Sequence, residues 1–160
     1  MSLLDKEPVQ RVEKILKEFN QSLEIIILKS SAKTAEQAAE ALSCNVGAIV
    51  KSLLFKNENG FTLCLVSGDK RCSLKNLKKI KNQKDISMAS PEEVKAQTGY
   101  TIGGVSPVGR LKIMDIFIDK SFERFKDLFA AAGHPNCVFK INLKDSKKLT
   151  NGNFEEITEW

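Results

Sequence analysis

The sequence has few of the residues from which familiar catalytic and metal sites are built. Its 160 residues include one His, one Trp, one Tyr and four Cys, and no two cysteines have C-x-x-C spacing. It contains no G-x-S-x-G nucleophile motif, no P-loop and no G-x-G-x-x-G motif. A zinc site would have to gather distant ligands around His134, so we expect no metal site. The scarcity of Trp and Tyr argues against a general basic RNA-binding protein that stacks bases.

Long apolar runs are also missing. No stretch approaches the roughly 18 apolar residues of a membrane span. Residues 1–9 carry Asp5, Lys6 and Glu7 and lack the apolar core of a secretory signal. With 42% hydrophobic and 28% charged residues, the composition is that of a globular protein. We therefore expect a soluble, cytoplasmic protein with reduced thiols, no membrane contact and a single domain over residues 1–160.

Two of the cysteines have simple interpretations. Cys64 lies in an apolar run and is expected to be a small buried side chain. Cys137 and His134 could form a nucleophilic pair. On an extended segment, however, residues three apart point to opposite faces, so we expect no such pair.

The positive charge is concentrated in one segment. The chain carries a net charge of +5, yet residues 1–69 and 85–160 are each slightly acidic and residues 70–84 contain seven basic and no acidic side chains. Such a block is typical of a surface that binds a polyanion. It is equally typical of a solvated helix face. The basic residues considered for contact with nucleic acid are Lys70, Arg71, Lys75, Lys78 and Lys79.

Hydrophobic periodicity predicts a mixture of helices and short strands. Thr34 stands three residues before Gln37, and Ser90 three before Glu93, so both are capping boxes that open helices. Predicted helices cover residues 9–19, 35–42, 74–80 and 91–98, and a further helix over 122–132 is expected to stop at Gly133. Predicted strands cover residues 23–28, 49–55, 61–67, 113–118 and 138–141, with a weaker run near Ile157. This pattern predicts an α+β or α/β domain with a mixed or largely antiparallel sheet.

Two local anomalies indicate a site. In the strand over residues 49–55, Lys51 shares a face with Ile49, Leu53 and Phe55, where an ammonium is costly unless it is paired or used. An edge strand with a lysine that reaches water is the alternative. The second anomaly is the segment 101–109, whose three glycines and one proline interrupt regular structure. Its glycines allow either close approach to a ligand or a sharp crossover.

Four segments together resemble the YbaK/ProX family of free-standing aminoacyl-tRNA editing domains, which are related to the insertion domain of bacterial prolyl-tRNA synthetase. They are T-A-E-Q-A-A (34–39), I-V-K-S-L (49–53), S-G-D-K-R (67–71) and G-Y-T-I-G-G-V-S-P-V-G (99–109). The resemblance runs in order from about residue 9 to residue 158. It implies an α/β domain with a mixed, partly open barrel of about seven strands flanked by helices.

The resemblance also implies an activity. It is hydrolysis of the ester between a mischarged small amino acid, such as Cys or Ala, and the 3′ ribose of tRNA-Pro or a related tRNA, a proofreading step in translation. No metal, cofactor or covalent enzyme intermediate is implied. An activated ester is compatible with catalysis by positioning and oriented dipoles. The partners implied are aminoacyl-tRNA and an aminoacyl-tRNA synthetase. A non-catalytic adaptor of the same fold, binding tRNA or a synthetase, is the alternative.

The resemblance also implies site residues, at the positions of this sequence that match the motifs of the family. Lys51 would contact the tRNA 3′ end, and the carbonyl of Gly103 would orient the attacking group. The other residues implied to bind substrate are Thr34, Gly104, Val105, Ser106, Pro107, Gly109 and His134. The turn 133–136 departs from the basic, glycine-rich turn expected of the cysteine-specific branch, which leaves the amino-acid specificity open. His134 either gates the pocket, touches RNA, or is a cap or surface residue.

Overall fold

A sheet of strands covered by helices forms the framework of the protein. The computed structural model describes residues 2–30 and 32–160. Its strands are β1 (Ile25–Ile27), β2 (Ile49–Asn57), β3 (Gly60–Ser67), β4 (Arg71–Cys72), β5 (Ser87–Met88), β6 (Asp115–Asp119), β7 (Leu128–His134), β8 (Cys137–Ile141), β9 (Asn153–Glu155) and β10 (Thr158–Glu159). Its helices are α1 (Glu7–Phe19), α2 (Ala35–Leu42), α3 (Leu74–Lys81), α4 (Pro91–Thr98) and α5 (Leu143–Thr150).

Seven strands form a mixed sheet that curls into an open half-barrel, in the order β1-β8-β7-β2-β3-β6-β9. Pairing is antiparallel in β1/β8, β8/β7 and β2/β3, and parallel in β7/β2, β3/β6 and β6/β9. β5 adds to part of β2, and β4 pairs with β10 separately. This confirms the predicted mixed, partly open barrel of about seven strands with flanking helices.

The two faces of the sheet bury different clusters. Even-numbered residues of β2, such as Val50 and Leu54, join the main core, where Val9, Val12 and Leu16 of α1 are fully buried. Odd-numbered residues lie on the outer face, where Phe55 packs in a cluster with Leu77 of α3 and Ile49 packs in another with residues of α2. Lys51 therefore lies on the outer face between the parts covered by α2 and α3.

Both predicted capping boxes are confirmed. The Thr34 hydroxyl accepts from the Gln37 N–H and the Ser90 hydroxyl accepts from the Glu93 N–H. Gly99 ends α4 with a positive φ, as its position predicts. β2 and β3 form a hairpin at 57–60, with Asn57 opposite Gly60.

The predicted helix over 122–132 is wrong. A 3-10 turn spans Lys120–Arg124, and the residues after it form β7, in which Gly133 is a strand residue. Leu128, Ala130 and Ala132 are buried and alternate with partly exposed neighbours, which is a period of two. The helical spacing of the phenylalanines arises because Phe122 belongs to the turn and Phe129 to the outer face of a strand. α5, between β8 and β9, was not predicted.

Membrane-spanning helices were sought among the described residues, and every helix there is too short or too polar to cross a bilayer.

Candidate active site

A cavity of about 330 Å³ opens where the sheet is split alongside β2. β2 pairs with β7 only at Ile49 and Val50, and with β5 only at Phe55 and Lys56. The residues between these two points face the cavity. Its other walls come from the segment before α2, from α2 itself, from β5 and α4, and from the glycine loop at 102–105. The lining residues are Ala32, Lys33, Thr34, Ala35, Ala38, Ile49, Val50, Lys51, Ser52, Leu53, Leu54, Met88, Ala89, Val94, Ile102, Gly103 and Val105.

Ser52 presents polar groups to this cavity. In β2, the Ile49 carbonyl accepts from Gly68 on the β3 side, whereas the Leu54 carbonyl accepts from Ala89 on the β5 side. Because strand main-chain groups alternate, the N–H and C=O of Ser52 point to the split edge. The Ser52 hydroxyl is buried and has no hydrogen-bond partner among the described residues. An unpaired buried hydroxyl is costly and indicates a position that a ligand or water satisfies.

Lys51 is half-buried at the cavity wall. Its Nζ donates to the main-chain oxygen of Lys70 at 2.5 Å. Burial lowers the pKa of Lys51, while the carboxylates of Glu36 and Asp69 act in the opposite direction. The residue therefore places a partly desolvated amine beside the cavity, where its charge acts more strongly than in water.

The turn that supplies the Lys70 carbonyl is held by a second set of polar contacts. Both Asp69 carboxylate oxygens accept from Arg124, at 2.8 and 2.9 Å, and this pairing lowers the pKa of Asp69 to about 2. Arg124 also donates to the Ser67 hydroxyl, which in turn donates to the Gly47 carbonyl. A Cβ on Gly68 would lie 2.3 Å from the Val46 carbonyl oxygen, so only glycine fits there. These contacts fix the acceptor that orients Lys51.

The glycine loop at 101–109 contributes both to the cavity wall and to close packing of the chain, so its glycines fit either of the two interpretations, approach to a ligand or a sharp crossover. Gly103 and Val105 line the cavity, and Gly103 has a φ of +93°, which favours glycine. Gly104 instead packs on the chain, since a Cβ there would lie 3.0 Å from the main chain of His134. Ser106 and Pro107 are buried within the loop, and Gly109 lies against the Tyr100 hydroxyl. Lys51, Thr34, Gly103 and Val105 thus meet at one cavity, which Gly104, Ser106, Pro107, Gly109 and His134 do not line.

His134 and Cys137 lie opposite each other across the β7–β8 hairpin. The expectation that they point to opposite faces assumed a continuous extended segment and is wrong. They still do not resemble a nucleophilic pair, because Cys137 is fully buried and burial raises its pKa. The His134 Nδ1 accepts from the Asn136 N–H at 3.0 Å, and burial lowers the pKa of His134.

The basic residues divide between two elements. Lys70 and Arg71 lie at the turn and strand beside the cavity wall, whereas Lys75, Lys78 and Lys79 belong to α3. Lys75 and Lys79 are exposed and Lys78 is half-buried. Lys81 forms an ion pair with Asp115, so the net charge of the block is partly neutralised.

Ser52, Arg124 and Trp160 are not among the residues predicted from the sequence. Ser52 had a usable signal, because it is a polar residue between Val50 and Leu54, which are core residues on the inward face of β2. Arg124 had none, since it pairs with a residue 55 positions away. No group of three or more His, Cys, Asp or Glu side chains in the described ranges is placed to hold a metal ion.

Comparisons with known proteins agree on one family. The aminoacyl-tRNA editing domain family matches residues 29–149. EbsC of Enterococcus faecalis, named as a proposed Cys-tRNA(Pro)/Cys-tRNA(Cys) deacylase, is 30% identical over 126 residues, covering 78% of this chain and 77% of EbsC. A proline–tRNA ligase of Thermosipho africanus is 34% identical over 130 residues, which are 81% of this chain and 22% of the ligase. The crystal structure of a proposed trans-editing enzyme for prolyl-tRNA synthetase superposes with a TM-score of 0.91 at 33% identity, covering 97% of this chain and 99% of that one.

Proposed function

The chain belongs to the aminoacyl-tRNA editing domain family and is an aminoacyl-tRNA deacylase, and we propose that it removes a small amino acid, such as Cys or Ala, mischarged on tRNA-Pro or a related tRNA. One observation carries this proposal. It is the half-buried amine of Lys51, held at the wall of a small, largely apolar cavity by a fixed main-chain acceptor.

The size and lining of the cavity support a small aminoacyl group. A volume of about 330 Å³ lies at the lower end of the range for small-molecule sites. Ala32, Ala35 and Ala38 form one wall and present only methyl groups. Cys differs from Ala by one sulfur atom, which is similar in size to a methylene. An apolar pocket separates side chains that differ by one methylene by roughly 10- to 200-fold, so we expect a graded preference between Cys and Ala rather than an absolute one.

The proposed chemistry needs no nucleophile from the protein. Water attacks the ester carbonyl carbon, the tetrahedral intermediate collapses, and the 3′ oxygen of the ribose leaves and takes up a proton. Lys51 binds the tRNA 3′ end and supplies positive potential as negative charge develops. The Gly103 carbonyl accepts a hydrogen bond from the attacking water, and the N–H and hydroxyl of Ser52 bind the polar groups of the substrate. Thr34, at the start of α2, completes the rim.

The adaptor hypothesis receives less support. A binding adaptor has no need of a desolvated lysine and a glycine loop at one cavity. A synthetase remains a proposed partner, because a proline–tRNA ligase contains a segment similar to this chain. Deacylation assays with and without prolyl-tRNA synthetase test that partnership directly.

We predict that Lys51→Ala lowers kcat/KM for deacylation of Cys-tRNA-Pro or Ala-tRNA-Pro by roughly 100-fold or more, the loss typical of removing one transition-state donor. Lys51→Arg is expected to keep part of the activity, because the charge is retained with altered geometry. The measurement is ester loss from a panel of mischarged tRNAs, with circular dichroism as a check of folding.

Lys56→Ala is the matched control. Lys56 lies on the same strand, but its side chain is 59% exposed and pairs with Glu93 outside the cavity. Equal turnover by Lys51→Ala and Lys56→Ala would contradict the proposed role of Lys51. Absence of turnover by the wild-type protein across the panel would contradict the proposed substrate class.

A further inference from the structure

An exposed aromatic ring and several cations lie together beside the turn that carries Lys70. Trp160 is 74% exposed, which is unusual for so large an apolar side chain. Its position follows from β10, which pairs with β4 so that Glu159 lies opposite Arg71. We call Trp160 together with Lys70, Arg71 and Arg124 the Trp160 platform.

The cations of the Trp160 platform contact the tryptophan directly. The Lys70 Nζ lies 3.8 Å from the centroid of the Trp160 ring, and the Arg124 guanidinium carbon lies 5.7 Å from it. Arg71 donates to the Trp160 main-chain oxygen at 3.4 Å. Asp69 neutralises Arg124, and Glu159 is the acidic residue nearest in register to Arg71. Lys70 is within ion-pair distance of no carboxylate in the described part of the chain.

The Trp160 platform is continuous with the active site through a single residue. The main-chain oxygen of Lys70 accepts from the Lys51 amine, while the side chain of Lys70 covers the Trp160 ring. A strand of RNA whose terminal ribose lies at Lys51 would therefore pass close to the platform.

We propose that the Trp160 platform binds the unpaired 3′ strand of the tRNA substrate, with a base stacked on the Trp160 ring and phosphates held by Lys70 and Arg71. This inference rests on the proposed function. Aromatic rings flanked by cations are the usual elements of single-stranded nucleic-acid sites, because every base has a face that stacks and every linkage carries a charge. Lys70 covers the ring in the free protein and would move onto a phosphate when a base replaces it.

Trp160 is the only tryptophan of the sequence, so its fluorescence reports on the platform alone. We expect titration with the RNA tetramer 5′-ACCA-3′, which carries no amino acid, to quench this fluorescence saturably. A blunt-ended RNA duplex, compared at equal total phosphate concentration, has no unpaired base to stack and should quench little. Equal quenching by both RNAs would contradict stacking, because charge attraction alone would then explain the quenching.

A second experiment measures the affinity of variants for 5′-labelled ACCA by fluorescence anisotropy. Trp160→Ala should weaken binding about tenfold or more, whereas Trp160→Phe, which keeps a stacking face, should stay within about threefold of the wild type. Lys70→Ala should reduce the slope of log affinity against log salt by about one phosphate contact. Circular dichroism of each variant establishes that the fold is retained.

The outcomes separate this inference from the proposed function. If the wild-type protein deacylates mischarged tRNA but Trp160 does not respond to ACCA and Trp160→Ala binds normally, the platform is overturned and the deacylase proposal stands. If ACCA quenches Trp160 but no mischarged tRNA is hydrolysed, the substrate proposal fails and the RNA-binding platform stands. Quenching by a synthetase but not by RNA would overturn the inference in favour of a protein partner.

Discussion

Asp69 and Arg124 show how single residues outside the cavity determine its geometry. Their two-point ion pair holds the turn whose Lys70 oxygen orients Lys51. The Asp69 side chain is 21% exposed and that of Arg124 is 35% exposed, so solvent screens the pair and its contribution to stability is modest. Its larger effect is positional, because the acceptor of the Lys51 amine moves with the turn.

We predict that Asp69→Asn lowers the free energy of unfolding at pH 7 by roughly 1 kcal/mol, as expected for a partly exposed pair. The folded-state pKa of Asp69, about 2, lies below its ordinary value of 3.8. This contribution is therefore fully present above about pH 4 and is lost as the pH falls towards 2. Urea unfolding of both proteins between pH 7 and pH 2 should show a difference that shrinks in that window.

Asp127→Asn is the control for this comparison, since Asp127 is exposed and has no ion pair among the residues described. A stability difference between wild type and Asp69→Asn that stayed constant from pH 5 to pH 2 would contradict the assignment to the carboxylate.

At the scale of elements, α3 is a lysine-rich helix that covers the outer face of the sheet. Leu77 is fully buried against the sheet, while Lys75 and Lys79 face solvent. Lys51 lies on the same outer face of β2, so α3 flanks the approach to the active site. We propose that α3 is a docking surface for the tRNA backbone, separate from the chemistry in the cavity.

We predict that the triple variant Lys75→Ala/Lys78→Ala/Lys79→Ala flattens the dependence of kcat/KM on salt. Each lost phosphate contact removes about 0.7–0.9 from the slope of log affinity against log salt. The measurement is deacylation of one mischarged tRNA from low to high KCl, below saturating substrate.

α5 offers a matched control. Lys144, Lys147 and Lys148 carry the same charge on a helix of the same length, with two exposed lysines and one half-buried, as in α3. The corresponding triple alanine variant should leave the slope near that of the wild type. Equal slopes for all three proteins would contradict docking at α3 and would show that its lysines are only solvent-exposed.

The elements also show where local pattern suffices. α2 and α4 have the predicted starts because capping boxes are local hydrogen-bond arrangements. The helix predicted over 122–132 is wrong because Phe122, Phe125 and Phe129 are spaced at three and four although only Phe129 belongs to β7. Pairing with β8 and β2 decides the conformation of β7. Short apolar segments are ambiguous in this way whenever tertiary pairing overrides local preference.

At the scale of the whole molecule, we propose that residues 1–160 fold as one unit. The seven-stranded sheet extends from β1, near the beginning of the chain, to β9, near its end, and one core cluster contains residues of both α1 and β8. The small β4–β10 sheet joins this body where the Ile157 N–H and the Thr158 hydroxyl donate to the carboxylate of Asp119 in β6.

We predict a single cooperative unfolding transition. Circular dichroism at 222 nm follows the helices, and Trp160 fluorescence follows the β4–β10 sheet, so coincident urea curves are expected for one unit. Loss of the Trp160 signal at lower urea would instead show that the β4–β10 sheet unfolds separately and would contradict the single unit.

The sequence alone determined the mixed α/β class, the family resemblance, and Lys51 and Gly103 as candidate active-site residues, because a lysine on an apolar strand face and a glycine-rich break are local features. Tertiary structure decided the rest. The split between β7 and β5 that creates the cavity, the orientation of Ser52 towards it and the Asp69–Arg124 pair all depend on segments distant in sequence. Strand pairing and long-range contacts, unlike caps and periodicity, leave no signal in any single stretch of residues.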